Sequence, residues 1–95
     1  MSDVVTAAVA ALNGKLSGRL AGTAKFVISG EGAIMMDAGG ARAGDDPADV
    51  TLTADADTFQ GILSGDVNPT AAFMTGRLTV DGDMGLAMQL GALLG

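Results

Sequence analysis

Asp49-Val50-Thr51-Leu52-Thr53 is the stretch on which the reading of this chain turns. Its strict alternation sets Val50 and Leu52 on one side and Asp49, Thr51 and Thr53 on the other, the period-two pattern of a strand with one face on a core and one in water. Arg77-Leu78-Thr79-Val80-Asp81 repeats that pattern. Between the two strands the period changes. Asp55 is placed to cap a short helix carrying Phe59, Ile62 and Leu63 on one side and stopped at Gly65. Asn68, with Pro69 at the first helical position, starts a second helix that ends at Gly76. Beyond the second strand Gly82-Asp83 turns the chain, and Asp83 caps a final helix running to about Leu94.

Upstream, Val5, Val9, Leu12 and Leu16 recur at helical spacing, which predicts an amphipathic helix over residues 2–16 with Ser2 as N-cap and Gly18 as stop. Two β-type segments follow over 23–29 and 33–37, joined by Gly30-Glu31-Gly32, a tripeptide that supplies the positive φ angles of a tight reversal. Ala24, Phe26 and Ile28 share one face of the first segment. Val27 sits on the other with Lys25 and Ser29, so that strand is apolar on both sides. The turn-rich stretch from Gly39 to Pro47 leaves room for a brief edge strand near 41–44. The order α, β, β, weak β, β, α, α, β, α has no repeat or linker, which predicts one domain over 1–95. Strands gathered ahead of helices favour an α+β fold, with helices over one face of the sheet.

With 95 residues, 48% of them apolar and 17% charged, the chain has enough apolar surface to fold around one core. Eleven acidic residues against five basic ones give a net charge of −6, which repels polyphosphate backbones and excludes nucleic acid as a partner. Lys15 and Arg19 make the only close pair among scattered cations. Without cysteine there is no disulfide framework or thiolate chemistry. The start Met-Ser-Asp-Val-Val lacks the basic region of a signal peptide, and no apolar run approaches the roughly 20 residues of a membrane span, so a cytoplasmic protein is expected.

The inventory for catalysis is thin. There is no histidine, and Ser2, Ser17, Ser29 and Ser64 have no base partner, so no enzymatic activity is expected. The acid pairs Asp45-Asp46, Asp55/Asp57 and Asp81/Asp83 each fall at a turn or cap, where backbone hydrogen bonding accounts for them without metal or acid/base work. Calcium-loop, dinucleotide and phosphate-loop patterns all fail, and no cofactor is expected. The informative segment is the last helix. Met84, Met88 and Leu94 fall on one stripe and Leu86, Leu90 and Leu93 on another, so it is apolar nearly all round. One stripe should face the sheet and the other a cavity, a ligand or another subunit. Six methionines and three phenylalanines, with no Trp or Tyr, make a soft interior suited to alkyl chains; Met35, Met36, Met74, Met84 and Met88 are candidates to line it. Gln89, the lone polar side chain of the closing helix, offers a donor and an acceptor to a ligand head group.

The second half of the chain resembles the sterol carrier protein 2 family. The residues that carry the likeness are Ala48-Asp49-Val50-Thr51-Leu52-Thr53, Phe59, Ser64-Gly65, Asn68-Pro69, Ala72-Phe73-Met74, Gly76-Arg77-Leu78 and Gly82 through Leu90. The resemblance implies a five-stranded mixed sheet covered on one face by helices, with an apolar tunnel between them. It also implies carriage of a fatty acid, fatty acyl-CoA, phospholipid or sterol. Phe59, Ile62, Leu63 and Phe73 resemble the family's tunnel wall; Met74, Met84, Leu86, Met88, Gln89 and Leu90 complete the expected ligand-binding set. The chain departs from eukaryotic members in lacking a peroxisomal address after Leu93-Leu94-Gly95 and in a lysine-poor first helix. The expected partner is a lipid or fatty acyl ligand, with a transient membrane contact and a homodimer as further candidates. The alternative is an interaction module whose closing helix packs on a partner chain.

Overall fold

The computed structural model describes the backbone at 3–16 and 21–94 and side chains at 3–14 and 21–92. Along the chain the elements are α1 (Asp3–Leu16), β1 (Ala24–Ile28), β2 (Gly32–Asp37), β3 (Gly40–Ala43), β4 (Val50–Ala54), α2 (Ala56–Ser64), α3 (Pro69–Met74), β5 (Thr79–Gly82) and α4 (Met84–Leu94). The predicted cap Ser2, the stop Gly18, the Lys15/Arg19 pair and the side chains of Leu16, Leu93 and Leu94 lie outside the described residues.

The strands form one mixed sheet in the order β3-β2-β1-β4-β5. β1 and β4 run parallel at its centre, while β1/β2, β2/β3 and β4/β5 are antiparallel. Alternation sends Ala24, Phe26, Ile28, Val50, Leu52 and Ala54 to one face, where all six are buried. Ile34 and Met36 of β2 join them, and Val5, Ala8 and Leu12 of α1 close over that half of the sheet. Phe59 and Ile62 of α2 and Leu86, Ala87 and Leu90 of α4 complete the core. All four helices thus lie on one face, as expected for the α+β arrangement. Each large side chain so buried contributes about 1.5–3 kcal/mol. The Phe26 and Phe59 rings, 4.2 Å apart between centroids and tilted by 57°, add about 0.5–1.5 kcal/mol beyond area.

Local chemistry explains the boundaries. Asp55 accepts the Thr58 N–H at 2.7 Å and caps α2, and Gly65, with φ +88°, ends that helix. Asp83 accepts the Leu86 N–H at 3.1 Å at the start of α4. β5 begins two residues later than the alternation at Arg77 suggested, because the Arg77 and Leu78 N–H groups both donate to the Ala72 carbonyl, at 2.9 and 3.1 Å. Those bonds tie the segment to α3 and keep it out of the ladder. α3 stops at Met74, with Thr75 as its C-cap, rather than reaching Gly76.

Two details hold the sheet's margins. At the β3 edge the Asn13 carboxamide donates to the Ala41 carbonyl at 3.0 Å and accepts from the Ala41 N–H at 2.7 Å, the two bonds a neighbouring strand would make. At the opposite margin Gly82 has φ +114°, and a Cβ there would collide with the Asp49 carbonyl. Among the described residues no helix is long and apolar enough to cross a membrane.

Gly82→Ala is expected to destabilise the fold by about 1–3 kcal/mol, seen as a lower urea midpoint with unchanged slope. The Thr58 backbone N–H, then the Thr58 side chain and the Arg77 charge, hold the Asp55 carboxyl below its ordinary 3.8. A depressed folded-state value means that the cap's contribution is complete above 3.8 and is lost as pH falls through the lower folded value. Asp55→Asn, which still caps, should therefore flatten the acid side of the stability profile and leave neutral stability nearly unchanged. Urea midpoints followed downward from neutral pH check this.

Candidate lipid-binding cleft

The chain reaches the site by three elements that sequence chemistry places one after another. Asn68 accepts the N–H groups of Thr70 and Ala71 at 2.8 and 3.2 Å, and Pro69 enters the helix without needing a partner for a missing donor. This launches the short α3. After the six residues of α3 the chain turns through Thr75 and Gly76 into Leu78 and β5, and the Asp83 cap launches α4 back across the sheet.

The sheet supplies the floor of the resulting cleft. Phe26 pairs in register with Leu52 across the parallel β1/β4 ladder, and Leu52 with Val80 across β4/β5, so one row of three apolar side chains spans three strands. All three line the cleft. Ile62 of α2 and Leu78 close its inner end, Pro69, Thr70, Phe73 and Met74 form the α3 wall, and Met84, Ala87, Met88, Gly91 and Ala92 form the α4 wall. Its volume is about 690 Å³, within the range of small-molecule sites. Among the described residues, only Asn68 and Thr70 bring polar side chains to it.

The rim is unusual for a protein surface. Met74 and Met88 are 79% and 75% exposed, and Phe73 and Met84 are each nearly half exposed. Four large apolar side chains gathered at one opening mark a contact surface rather than scattered exposure. Gly91 stands opposite Pro69: a Cβ there would meet only the Pro69 ring carbon, at 3.9 Å, an ordinary contact. Any larger side chain at this position would grow into the cleft.

α4 divides its apolar surface as the two stripes suggested. Leu86, Ala87 and Leu90 turn to the core, and Met84 and Met88 turn to the cleft. Of the residues expected to touch ligand, Ile62, Phe73, Met74, Met84 and Met88 line this cleft. The others stand elsewhere in the fold. Leu86 and Leu90 pack in the core, the second fully buried. Gln89 lies off the cleft face and accepts the Ala21 N–H at 3.1 Å. Phe59 and Leu63 line a smaller groove between α2 and α1, on the far side of the Phe26–Phe59 ring pair. Met36 belongs to the core cluster, and Met35, its neighbour on β2, points through the opposite face of the sheet beneath Gly44.

The sheet floor, the Asn68/Thr70 pair and the small residues of α4 were not among the expected contacts. The register that aligns Phe26, Leu52 and Val80 joins segments far apart in sequence, and no local pattern encodes it. A signal for Gly91 did exist: a glycine inside an apolar helix costs about 1 kcal/mol against alanine and calls for a spatial reason.

A profile of the SCP-2 sterol transfer family matches residues 6–95. Hydroxysteroid dehydrogenase-like protein 2 of Danio rerio is 43% identical over 77 residues, covering 73% of this chain and 19% of that protein. The chain thus spans about a fifth of the length of such relatives. Among solved structures, Aedes aegypti sterol carrier protein 2 in complex with palmitate aligns with a TM-score of 0.80 at 23% identity, over 100% of this chain and 97% of that one. The sterol carrier protein domain 2 of Helicoverpa armigera aligns with a TM-score of 0.70 at 27% identity, over 95% and 81%. Element order, mixed sheet and sequence profile agree over nearly the whole length, and the chain belongs to the SCP-2 sterol transfer family.

Proposed function

We propose that this chain binds and carries a lipid-like molecule, a fatty acid, acyl-CoA, phospholipid or sterol, by holding its apolar part in the cleft between α3, α4 and the sheet. The observation that carries the reading is the cleft wall of Met84 and Met88, apolar side chains left over after α4 has satisfied the core. The palmitate complex of the Aedes aegypti protein supports a ligand of this kind. Binding is reversible burial without covalent chemistry. A dozen methylenes at about 0.8 kcal/mol each supply up to roughly 10 kcal/mol, from which the ordering of chain and rim is subtracted. Met74 and Met88 have the length and torsional freedom to fold over an alkyl tail and convert the open cleft into a closed tunnel.

The exposed rim also fits the alternative of packing against a second chain, and relatives in which a similar segment is one part of a larger protein favour keeping it in view. Chain length separates the two. For a carrier, displacement of a fluorescent alkyl probe by alkyl ligands should tighten up to roughly tenfold for every two methylenes until the cleft is filled. A flat series would defeat the carrier reading. Gly91→Leu should abolish uptake by filling the cleft from the α4 side, while stability holds or rises by about 1 kcal/mol from the better helix former. Uptake that survives in the folded variant would place the ligand elsewhere.

A further inference from the structure

We propose that Met74 and Met88 are paired oxidation sites at the mouth of the cleft, and that their conversion to sulfoxides by a hydroperoxide releases the bound lipid; the effect on carriage rests on the lipid-binding reading above. Burial divides the methionines with described side chains sharply. Met35 and Met36 are buried on opposite faces of the sheet, where an oxidant reaches sulfur only through local opening of the fold. Met84 is about half covered. Met74 and Met88 hold their side chains in water, one on the α3 wall and the other on the α4 wall, so both can be attacked with the fold at rest.

In the step, a lone pair of the thioether sulfur attacks the terminal peroxide oxygen. The S–O bond forms as the O–O bond breaks, and the departing oxygen leaves with that bond's electron pair and takes up the proton of the transferred oxygen. Sulfur is thereby oxidised by two electrons, and the hydroperoxide is reduced to water or, if organic, to its alcohol. The product is a strongly polar group on a flexible side chain. Folding it over an alkyl tail strips the sulfoxide oxygen of its hydrogen bonds to water, which is costly unless the wall returns them. The described residues that line the cleft beside Met88 on α4 are Met84, Ala87, Gly91 and Ala92, none with a polar side chain. Met74 has the Thr70 hydroxyl one turn earlier on α3, within the same wall. Met88 therefore carries the larger share of the effect. Neither side chain belongs to the buried core, so oxidation of the rim removes the ligand and spares the fold. The change is reversible: two thiols return the sulfoxide to the thioether, giving a disulfide and water, when a sulfoxide reductase catalyses the exchange.

The test exposes the protein to graded hydrogen peroxide at neutral pH, removes the oxidant, maps the modified peptides by mass spectrometry and titrates the product with fluorescent dansylaminoundecanoate. Met74 and Met88 should gain an oxygen atom first, Met84 later, and Met35 and Met36 only under conditions that unfold the chain. At the dose that converts the two rim residues, affinity for the probe should fall about tenfold while the urea midpoint stays in place. Met88→Gln, which sets a polar amide at that rim position, should reproduce most of the loss without oxidant. The Met74→Leu/Met88→Leu double variant, compared before and after the same treatment, should lose no affinity. Oxidation of Met35 or Met36 ahead of the rim would overturn the inference, as would full affinity in protein with an oxidised rim or an equal loss in the double variant. Untreated protein that does not take up the probe would strike the lipid-binding reading and the release with it, and the peptide map would still decide the two modification sites.

Discussion

Helix α4 carries more apolar surface than one sheet can cover. Its Leu86, Ala87 and Leu90 face the core, and a helix of ordinary composition would turn polar residues to the remaining sides. Here Met84, Met88, Gly91 and Ala92 occupy the side turned to the cleft instead, and α3, six residues long and bound through its Ala72 carbonyl to the Arg77–Leu78 segment, does not close over the gap. The cleft is what remains between these two constraints. Its floor follows from the central parallel pairing of β1 and β4, which brings Phe26 beside Leu52.

Much of this was legible because the governing interactions are local. Asp55, Asn68-Pro69 and Asp83 act on N–H groups two or three residues away, so their caps could be read from the chain itself. The alternation around Val50 and Leu52 marked a half-buried strand whatever its neighbours. The division of α4 into two faces was equally readable, since helical phase alone separates Met84 and Met88 from Leu86 and Leu90. Legibility ended where the fold is decided at a distance. The alignment of Phe26, Leu52 and Val80 depends on ladder register, and the placement of Phe59 behind the Phe26 ring depends on the approach angle of α2. The resemblance pointed to Phe59 and Leu63, and the apolar closing helix to Leu86 and Leu90, but neither carries the register and approach angles that set Leu86 and Leu90 in the core and Phe59 and Leu63 along the α1/α2 groove. The likeness to a known family supplied the arrangement of helices over the sheet, which periodicity could not.

The chemistry of the cleft is subtractive. Floor and walls are hydrocarbon and thioether, and the caps consume the polar atoms nearest to them, so recognition is left to shape and to a few neutral donors. Methionine suits such a wall because its unbranched side chain adjusts to ligands of differing outline at little cost in strain. The stability of the fold rests on a different set of residues, the fully buried Phe26, Phe59, Leu12, Ile28, Ile34 and Leu90. Phe26 lines the cleft as well, together with the core residues Leu52, Ile62, Leu78 and Ala87, so the lining that is free to vary without loosening the frame is the exposed rim of Phe73, Met74, Met84 and Met88.

The Asn13 carboxamide performs at the rim of the sheet the service of an absent sixth strand. Because the side chain comes from α1, the helix that covers the core also shields the backbone of β3 from docking with another chain. Loss of the first helix by proteolysis would therefore do two kinds of harm at once. It would bare the oily side of β1 and β2, and it would release an unmatched peptide group at Ala41, turning a closed margin into a template for self-association.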